Sequence, residues 1–251
     1  MSEELKALEE NGVWTIVTPP ENSHVLHTIW VSKTKSDADG GIERFKARLV
    51  ACGNEKLFGV DYGLTFASLM DLSTVKVILV LAMRWGVPAR HGDIPNAYVK
   101  VDKEEHLEIY LAIPQGMDIP VNALKEFGVN DKSKLALRLK KSLYGLKQAG
   151  RLWSQLLHAK LEEAGFTRCG TDMCLFFLRQ NGDVTVAGVY VDDLLVTASN
   201  PEMMEAFCKS MNILSVKELG EVRNFLGMRV ILDNAENYTL DQPAAIEEMI
   251  T

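Results

Sequence analysis

The chain has 251 residues, 47% of them apolar and 24% charged, with mean hydropathy near zero, a balance that excludes disorder and fibrous repeats and leaves room for one large or two small cores. No run long enough to cross a bilayer lacks charge, since the most apolar one, 75–85, is broken by Lys76 and Arg84, and this excludes a membrane-spanning helix. The net charge of −7 conceals an asymmetry: Lys132, Lys134, Arg138, Lys140, Lys141, Lys147, Arg151 and Lys160 lie in a stretch with no acid. Such a strip is what a phosphate backbone feels, although a solvated basic face has the same composition. The acidic start, Met1-Ser-Glu-Glu, lacks the build of a secretory signal, and the four cysteines form no C-x-x-C pair. Both point to a reduced, intracellular protein without a zinc ribbon or disulfide scaffold. Without a signal, the sequon at Asn237 carries no meaning.

In chain order, Ser2 caps an expected helix carrying Leu5 and Leu8 and stopped by Gly12. Strands follow over 14–17 and 27–33, on either side of Pro19-Pro20. Residues 44–51 alternate basic and apolar side chains, as in a strand with one wet cationic face, entered by a turn at Asp39-Gly-Gly41. Ser73 caps a helix with Val75, Ile78, Leu79 and Ala82 on one face and Gly86 at its end. A short strand runs into Asp93, and Pro95 suits the turn or first helical position after it. Strands are expected at 107–113 and around Leu135, Leu137 and Leu139. A helix from Ala149 to Ala164 buries Leu152, Leu156, Leu157, Ala159, Leu161 and Ala164. Two β-rich runs, 184–190 and 194–197, flank Val191-Asp-Asp193 as a tight hairpin. Asn200-Pro201 opens a helix with Met204, Phe207, Cys208 and Met211 on one face. A hairpin over 223–232 and 238–240, turning at 234–237, precedes a final helix from Pro243. Strands and helices mixed without strict alternation give an α+β class.

Asp192 and Asp193 place two carboxylates at a hairpin bend, where they repel unless exposed, protonated or held around a cation. Aspartate is also a common turn residue, so the pair alone has an ordinary reading. Asp93 ends another expected strand. A third carboxylate brought in by sheet pairing completes a two-metal site for in-line phosphoryl transfer, with Mg²⁺ the natural ion.

Tyr190-Val-Asp-Asp193, Asp93-Ile-Pro-Asn-Ala-Tyr98 and Lys141-Ser-Leu-Tyr-Gly-Leu-Lys-Gln148 with Trp153 resemble the reverse transcriptase domain of copia-type LTR retrotransposons. The resemblance runs in order through Trp30-Val-Ser-Lys33, Arg44 to Gly53, Gly59-Val-Asp-Tyr62, Thr65-Phe-Ala67, Ile109-Tyr-Leu111, Pro114-Gln-Gly116, Gly165-Phe166 and Phe225-Leu-Gly227. It implies a right-hand polymerase: fingers over 1–88 and 103–142, a palm of antiparallel sheet and packed helices over 89–102 and 143–235, and the start of a largely missing thumb over 236–251. The implied reaction is RNA- and DNA-directed DNA synthesis. The resemblance also implies that Asp93, Asp192, Asp193 and the carbonyl of Ile94 hold two Mg²⁺, with Mn²⁺ an alternative.

For the nucleotide, the resemblance implies Lys46 or Arg48 on the triphosphate, Tyr98 under the sugar, and Lys147 and Gln148 beside the templating pair. Tyr190, Phe225, Leu226, Gly227, Met228, Lys140, Lys141 and Arg151 fall to primer and template. Tyr98 as a core tyrosine and 225–228 as ordinary core remain open. Implied partners are an RNA or DNA template with primer, deoxynucleotides, and adjoining RNase H and integrase parts of a polyprotein, with no membrane. The implied setting is a cytoplasmic virus-like particle, then the nucleus. Departures from the family pattern include Tyr98 for Phe, Cys52-Gly53 for Lys-Gly, Ala149-Gly150 for Ser-Pro, and Thr65-Phe-Ala-Ser68 without its usual acid and proline. A contrasting reading is an inactive or domesticated fragment that binds nucleic acid or a partner; another phosphotransferase would need a motif such as G-x-x-x-x-G-K, which is absent.

Overall fold

The computed structural model describes residues 1–36, 42–233 and 237–250. They form two compact units, each drawn from two separated stretches: Met1–Ala67 with Asn96–Gln155, and Ser68–Pro95 with Leu156–Thr251. The class is α+β, as composition and periodicity imply.

In the first unit the helix Ser2–Glu10 buries Leu5 and Leu8; Met1, and not Ser2, is its N-cap. Glu3 and Glu4 in the first turn suit the positive end of the helix dipole. A four-stranded sheet follows in the order Trp14–Val17, Ala136–Leu139, Tyr110–Ala112, Val25–Leu26. Trp14 faces Leu139 and Ile16 faces Leu137, so the alternating leucines meet apolar partners. The core holds Val13, Leu26, Leu49, Ile109, Leu111, Leu137, Leu139 and Leu143. Of the strand expected at 107–113, only Tyr110–Ala112 is regular strand.

Thr28–Ser36 and Ile42–Ala51 make a two-stranded ribbon, in register from Thr28 opposite Ala51 to Lys35 opposite Arg44. Its expected turn at Asp39-Gly-Gly41 lies outside the described residues. Near the base Leu49 and Ala51 are buried. Farther out Phe45 is 78% exposed, while Arg48 is half-buried. The division into a wet cationic face and a dry one therefore holds only where the ribbon meets the core.

The second unit is built on a six-stranded, wholly antiparallel sheet. Its order is Lys217–Glu221, Arg90–Asp93, Asp193–Ala198, Asp183–Tyr190, Leu175–Gln180, Thr167–Arg168. The helix Leu72–Trp85 buries Val75, Ile78, Leu79 and Ala82 in the same core as Val186 and Leu195. Asp71 rather than Ser73 caps it, accepting from the Ser73 amide, and Gly86 ends it at φ +65°. Gly188 lets the layers come close: a Cβ there would stand 2.5 Å from Met70 Sδ and 2.7 Å from Ile78 Cδ1. Asn200 caps Pro201–Ser210 through the Met203 amide, as expected.

The single strand expected over 223–232 is itself folded: Asn224–Phe225 turns through Leu226-Gly227 onto Met228–Leu232, which pairs with Tyr238–Asp241. Of the turn expected at 234–237, residues 234–236 lie outside the described residues. The strands Leu175–Gln180 and Lys217–Glu221 have no counterpart among the expected elements.

The helix Ala149–Glu163 buries Ala149, Trp153, Leu157 and Leu161, one row at i, i+4. Ala159, expected inside, is exposed, because it lies two residues, about 200°, round the helix from Leu157. The units divide after 67, 95 and 155, whereas the resemblance implied boundaries after 88, 102 and 142. The difference is physical: the helix Leu72–Trp85 packs on the second unit's sheet, and 101–103 pair with 140–142 in the first.

Candidate functional site

In the second unit, antiparallel pairing sets Asp93 directly opposite Asp193, with Gly92 opposite Leu194 and His91 opposite Leu195. Tyr190 faces Asp193 across the hairpin, so the turn consists of Val191 and Asp192. The amide of Ile94 donates to the carbonyl of Asp192 at 2.8 Å, pinning the end of one strand to the turn of the other. All three aspartates thus share one end of the sheet. Asp93 is exposed, while Asp192 and Asp193 are half-buried.

Residues facing each other across a ladder project to the same side, and so do residues two apart on one strand. His91, Asp93 and Asp193 therefore share a face. His91 Nε2 lies 2.8 Å from Asp193 Oδ1, and its ring meets Phe225 edge-on at 5.5 Å. The sequence reasoning missed His91, although its place two residues before Asp93 on a strand was the available signal. Gly92 is also required: a Cβ would stand 2.7 Å from Val216 Cγ1 and 2.8 Å from Leu219 Cδ2.

Three exposed or half-exposed carboxylates are hard oxygen donors, the type that suits Mg²⁺. In residue type and position on the sheet they fit the implied ions. Among the described residues, however, no three His, Cys, Asp or Glu side chains are gathered into a group that could hold a metal. Asp193 is turned instead to His91.

Around this sheet end Tyr190 is half-buried against the core. Phe225 is buried at 1% exposure, and its ring supports His91. Leu226 and Met228 are half-buried, and Gly227 alone of the four is exposed. The 225–228 hairpin thus contributes core packing through Phe225 and an exposed tip through Gly227.

In the first unit Tyr98 stands on the 3₁₀ turn Ala97–Lys100 between buried Ala97 and Val99, its ring 4.8 Å from that of Tyr144. Arg48 lies on the strand Ile42–Ala51, two residues after Lys46. The side chain of Lys46 lies outside the described residues. The Arg48 guanidinium sits 4.6 Å over the Tyr144 ring. Lys147 is exposed, with Nζ 3.1 Å from Tyr62 Oη.

Gln148 is fully buried, its oxygen accepts from Lys56 Nζ, and its nitrogen donates to the Asp61 carbonyl at 3.0 Å. Both ends of the amide are used inside the unit, where it ties the loop 56–61 to 148. Asp61 accepts from the Leu57 amide at 2.8 Å and lies 2.7 Å from His24 Nδ1. Burial pushes the Lys56 ammonium down to about 8, against the pull of Asp61 and Glu104.

The basic strip is likewise less available than its composition suggests. Arg138 forms a two-pronged pair with Glu108. Arg151, expected on the primer or template, is 17% exposed and engaged by Glu104, the Leu64 carbonyl and Gln155. Lys140 is exposed and Lys141 half-buried, their amides both directed to the Val13 carbonyl.

Residues 11–251 match the family described as reverse transcriptase (RNA-dependent DNA polymerase). The chain is 29% identical to the retrovirus-related Pol polyprotein from transposon TNT 1-94 of Nicotiana tabacum, across 100% of this chain and 18% of that protein. With the Pol polyprotein from transposon RE1 of Arabidopsis thaliana it shares 32% identity, over 91% of this chain and 15% of the relative. With the Ty1-DR4 Gag-Pol polyprotein of Saccharomyces cerevisiae it shares 30%, over 70% and 10%. The chain therefore spans less than a fifth of the length of these relatives. Among the described residues no helix is long and apolar enough to cross a membrane. On these matches and the motifs they cover, the chain belongs to the reverse transcriptase family, in its copia-type retrotransposon branch.

Proposed function

We propose that the chain carries out RNA- and DNA-templated DNA synthesis, joining the α-phosphate of a deoxynucleotide to a primer 3′-hydroxyl with loss of pyrophosphate. The observation that supports this most is the register that sets Asp93 opposite Asp193 and fastens the Asp192 turn to Ile94. Asp93, Asp192 and Asp193, with the Ile94 carbonyl, would hold Mg²⁺ or Mn²⁺, which when bound lowers the pKa of the primer hydroxyl and offsets charge on the transferring phosphate.

The chain's own groups do the rest. Asp93 and Asp192 supply the charge that draws cations to the sheet end, and His91 sets the orientation of Asp193. In the first unit, Arg48 or Lys46 attracts the triphosphate, Lys147 stands beside the templating pair, and the Tyr98 ring excludes a ribose 2′-hydroxyl. Lys140 and Lys141 bear on the phosphates of template and primer. In this reading the first unit serves as fingers and the second as palm, within a polyprotein that also carries RNase H and integrase parts.

Primer extension on RNA and DNA templates tests it. Asp93→Asn and Asp192→Asn should each reduce extension on the order of 10²-fold or more, with the fold intact, because each removes a charge from a site whose catalysis is mainly electrostatic. Full activity in either variant refutes the assignment. A second reading, a remnant that binds nucleic acid without polymerising, draws support from the Asp193 carboxylate being engaged by His91. Salt-sensitive binding of template–primer by a parent protein that extends nothing would favour it.

A further inference from the structure

Leu143-Tyr-Gly145 occupies a place in the first unit that leaves its backbone little freedom. Leu143 is fully buried. Gly145 has φ +87°, and a Cβ on it would stand 2.0 Å from the Ala51 carbonyl oxygen and 2.9 Å from the Ala51 nitrogen. The Ala51 amide donates to the Tyr144 carbonyl at 2.8 Å. A Cβ on Gly53 would stand 2.3 Å from the Gly145 oxygen. Residues 144–145 thus lie directly against the end of the strand Ile42–Ala51, which carries Arg48.

From this fixed backbone the Tyr144 ring reaches both Arg48 and Tyr98. Its face receives the Arg48 guanidinium at 4.6 Å. It also meets the Tyr98 ring edge-to-face, at 4.8 Å and 62°. One ring therefore joins the residue assigned above to the triphosphate with the residue assigned to the sugar. Aromatic pairs and stacked guanidinium groups have preferred geometries, so each contact restricts its partner's rotamers.

We propose that Tyr144 is a positioning residue for nucleotide selection, holding Tyr98 against the sugar and Arg48 toward the triphosphate as one preassembled surface. This rests on the polymerase reading. Without the ring Tyr98 gains freedom to yield to a 2′-hydroxyl, and Arg48 loses its seat. Two effects should appear together: weaker discrimination against ribonucleotides and a higher KM for deoxynucleotides. The kcat should change little, since Tyr144 touches no reacting atom.

The test compares dATP with ATP, by incorporation opposite a templating thymine and by competitive binding to the protein with primer–template, for the parent, Tyr144→Phe, Tyr144→Leu, Tyr144→Met and Tyr98→Ala. Tyr144→Phe should behave as the parent. Tyr144→Leu should lose discrimination on the order of 10-fold, the range of a ring-pair energy. Tyr144→Met, apolar and of similar bulk, reads the same role should the Leu variant not fold. Combined with Tyr98→Ala, Tyr144→Leu should add nothing further. Unchanged ratios in folded Tyr144 variants, beside a shifted ratio in Tyr98→Ala, overturn the role of Tyr144 and leave the polymerase reading standing. An unchanged ratio in Tyr98→Ala, or a parent that discriminates in neither measurement, overturns the sugar contact and this inference with it.

Discussion

Replacing Gly145 by alanine separates the two reasons for a glycine in the Leu-Tyr-Gly motif. Gly145 and Gly12 both have positive φ, +87° and +64°. A Cβ on Gly12 meets nothing within 4 Å, whereas one on Gly145 would lie 2.0 Å from a backbone oxygen. Gly12→Ala therefore measures the conformational cost alone, about 1–2 kcal/mol. Gly145→Ala adds an overpacking cost of about 1–3 kcal/mol, because the atom met is backbone and cannot rotate away. Relief requires the strand end to withdraw, breaking the Ala51–Tyr144 hydrogen bond at 2.8 Å, for roughly another 1–3 kcal/mol. The total, about 3–8 kcal/mol, is a large part of the 5–15 kcal/mol typical of a domain. Urea unfolding of the two variants and the parent, read as midpoint shifts at constant m, gives the comparison. A Gly145→Ala loss within about 1 kcal/mol of the Gly12→Ala loss would show that the chain relaxes around the clash, and the rigidity ascribed to residues 144–145 would fail.

Replacing Lys140 and Lys141 by alanine should weaken template–primer binding and lower the slope of log K against log salt by roughly one unit per lost phosphate contact; unchanged affinity and slope would mark a solvated face. Lys56 holds its proton to about 8 in the folded chain against an ordinary 10.5. Between those values the unfolded chain binds more protons, so stability should rise with pH across that window, and Lys56→Gln should abolish the rise in denaturation measured at pH 7, 9 and 10.

The parts of the fold that were legible in the sequence are those governed by local rules. Asn200-Pro201 caps its helix as expected because the cap needs only its own side chain and an amide three residues on. The face Val75, Ile78, Leu79, Ala82 follows from helical period alone. Ser73 misled because Asp71, two residues earlier, is an equally good cap, and only the path of the incoming chain decides between them. Asp93 and the 192–193 pair were legible as chemistry, but which atoms face which depends on sheet register, a long-range property. The same dependence hid His91 and Tyr144, whose partners lie 102 and 46 or more residues away in sequence. The internal partners of Gln148 and Arg151 were not legible for a related reason. Composition marks a residue as polar or basic, while only packing reveals that Lys56, Asp61 and Glu104 consume its hydrogen bonds.

The two ends of the strand Asp183–Tyr190 reverse at different conformational cost. One end turns from Leu175–Gln180 through Asn181-Gly182, at φ +53° and +92°, the pair of residues for which a two-residue hairpin with positive φ costs least. The other end turns through Val191-Asp192, and Val191, a β-branched residue, is held at φ +55°. That conformation costs about 1–2 kcal/mol for an L-residue, and it persists only where the surroundings determine it. Here they do: the ladder to Asp193–Ala198 fixes both strand ends, and the Ile94 amide holds the Asp192 carbonyl at 2.8 Å. The neighbouring hairpin Phe225–Met228 is built the same way, with Leu226 at φ +51° before Gly227. The Asn181-Gly182 turn is thus the inexpensive one of the three. The turn that sets Asp192 and Asp193 at the sheet end with Asp93 keeps a residue that strains the backbone, the pattern expected where the surrounding structure, and not the intrinsic cost of the turn, determines the conformation.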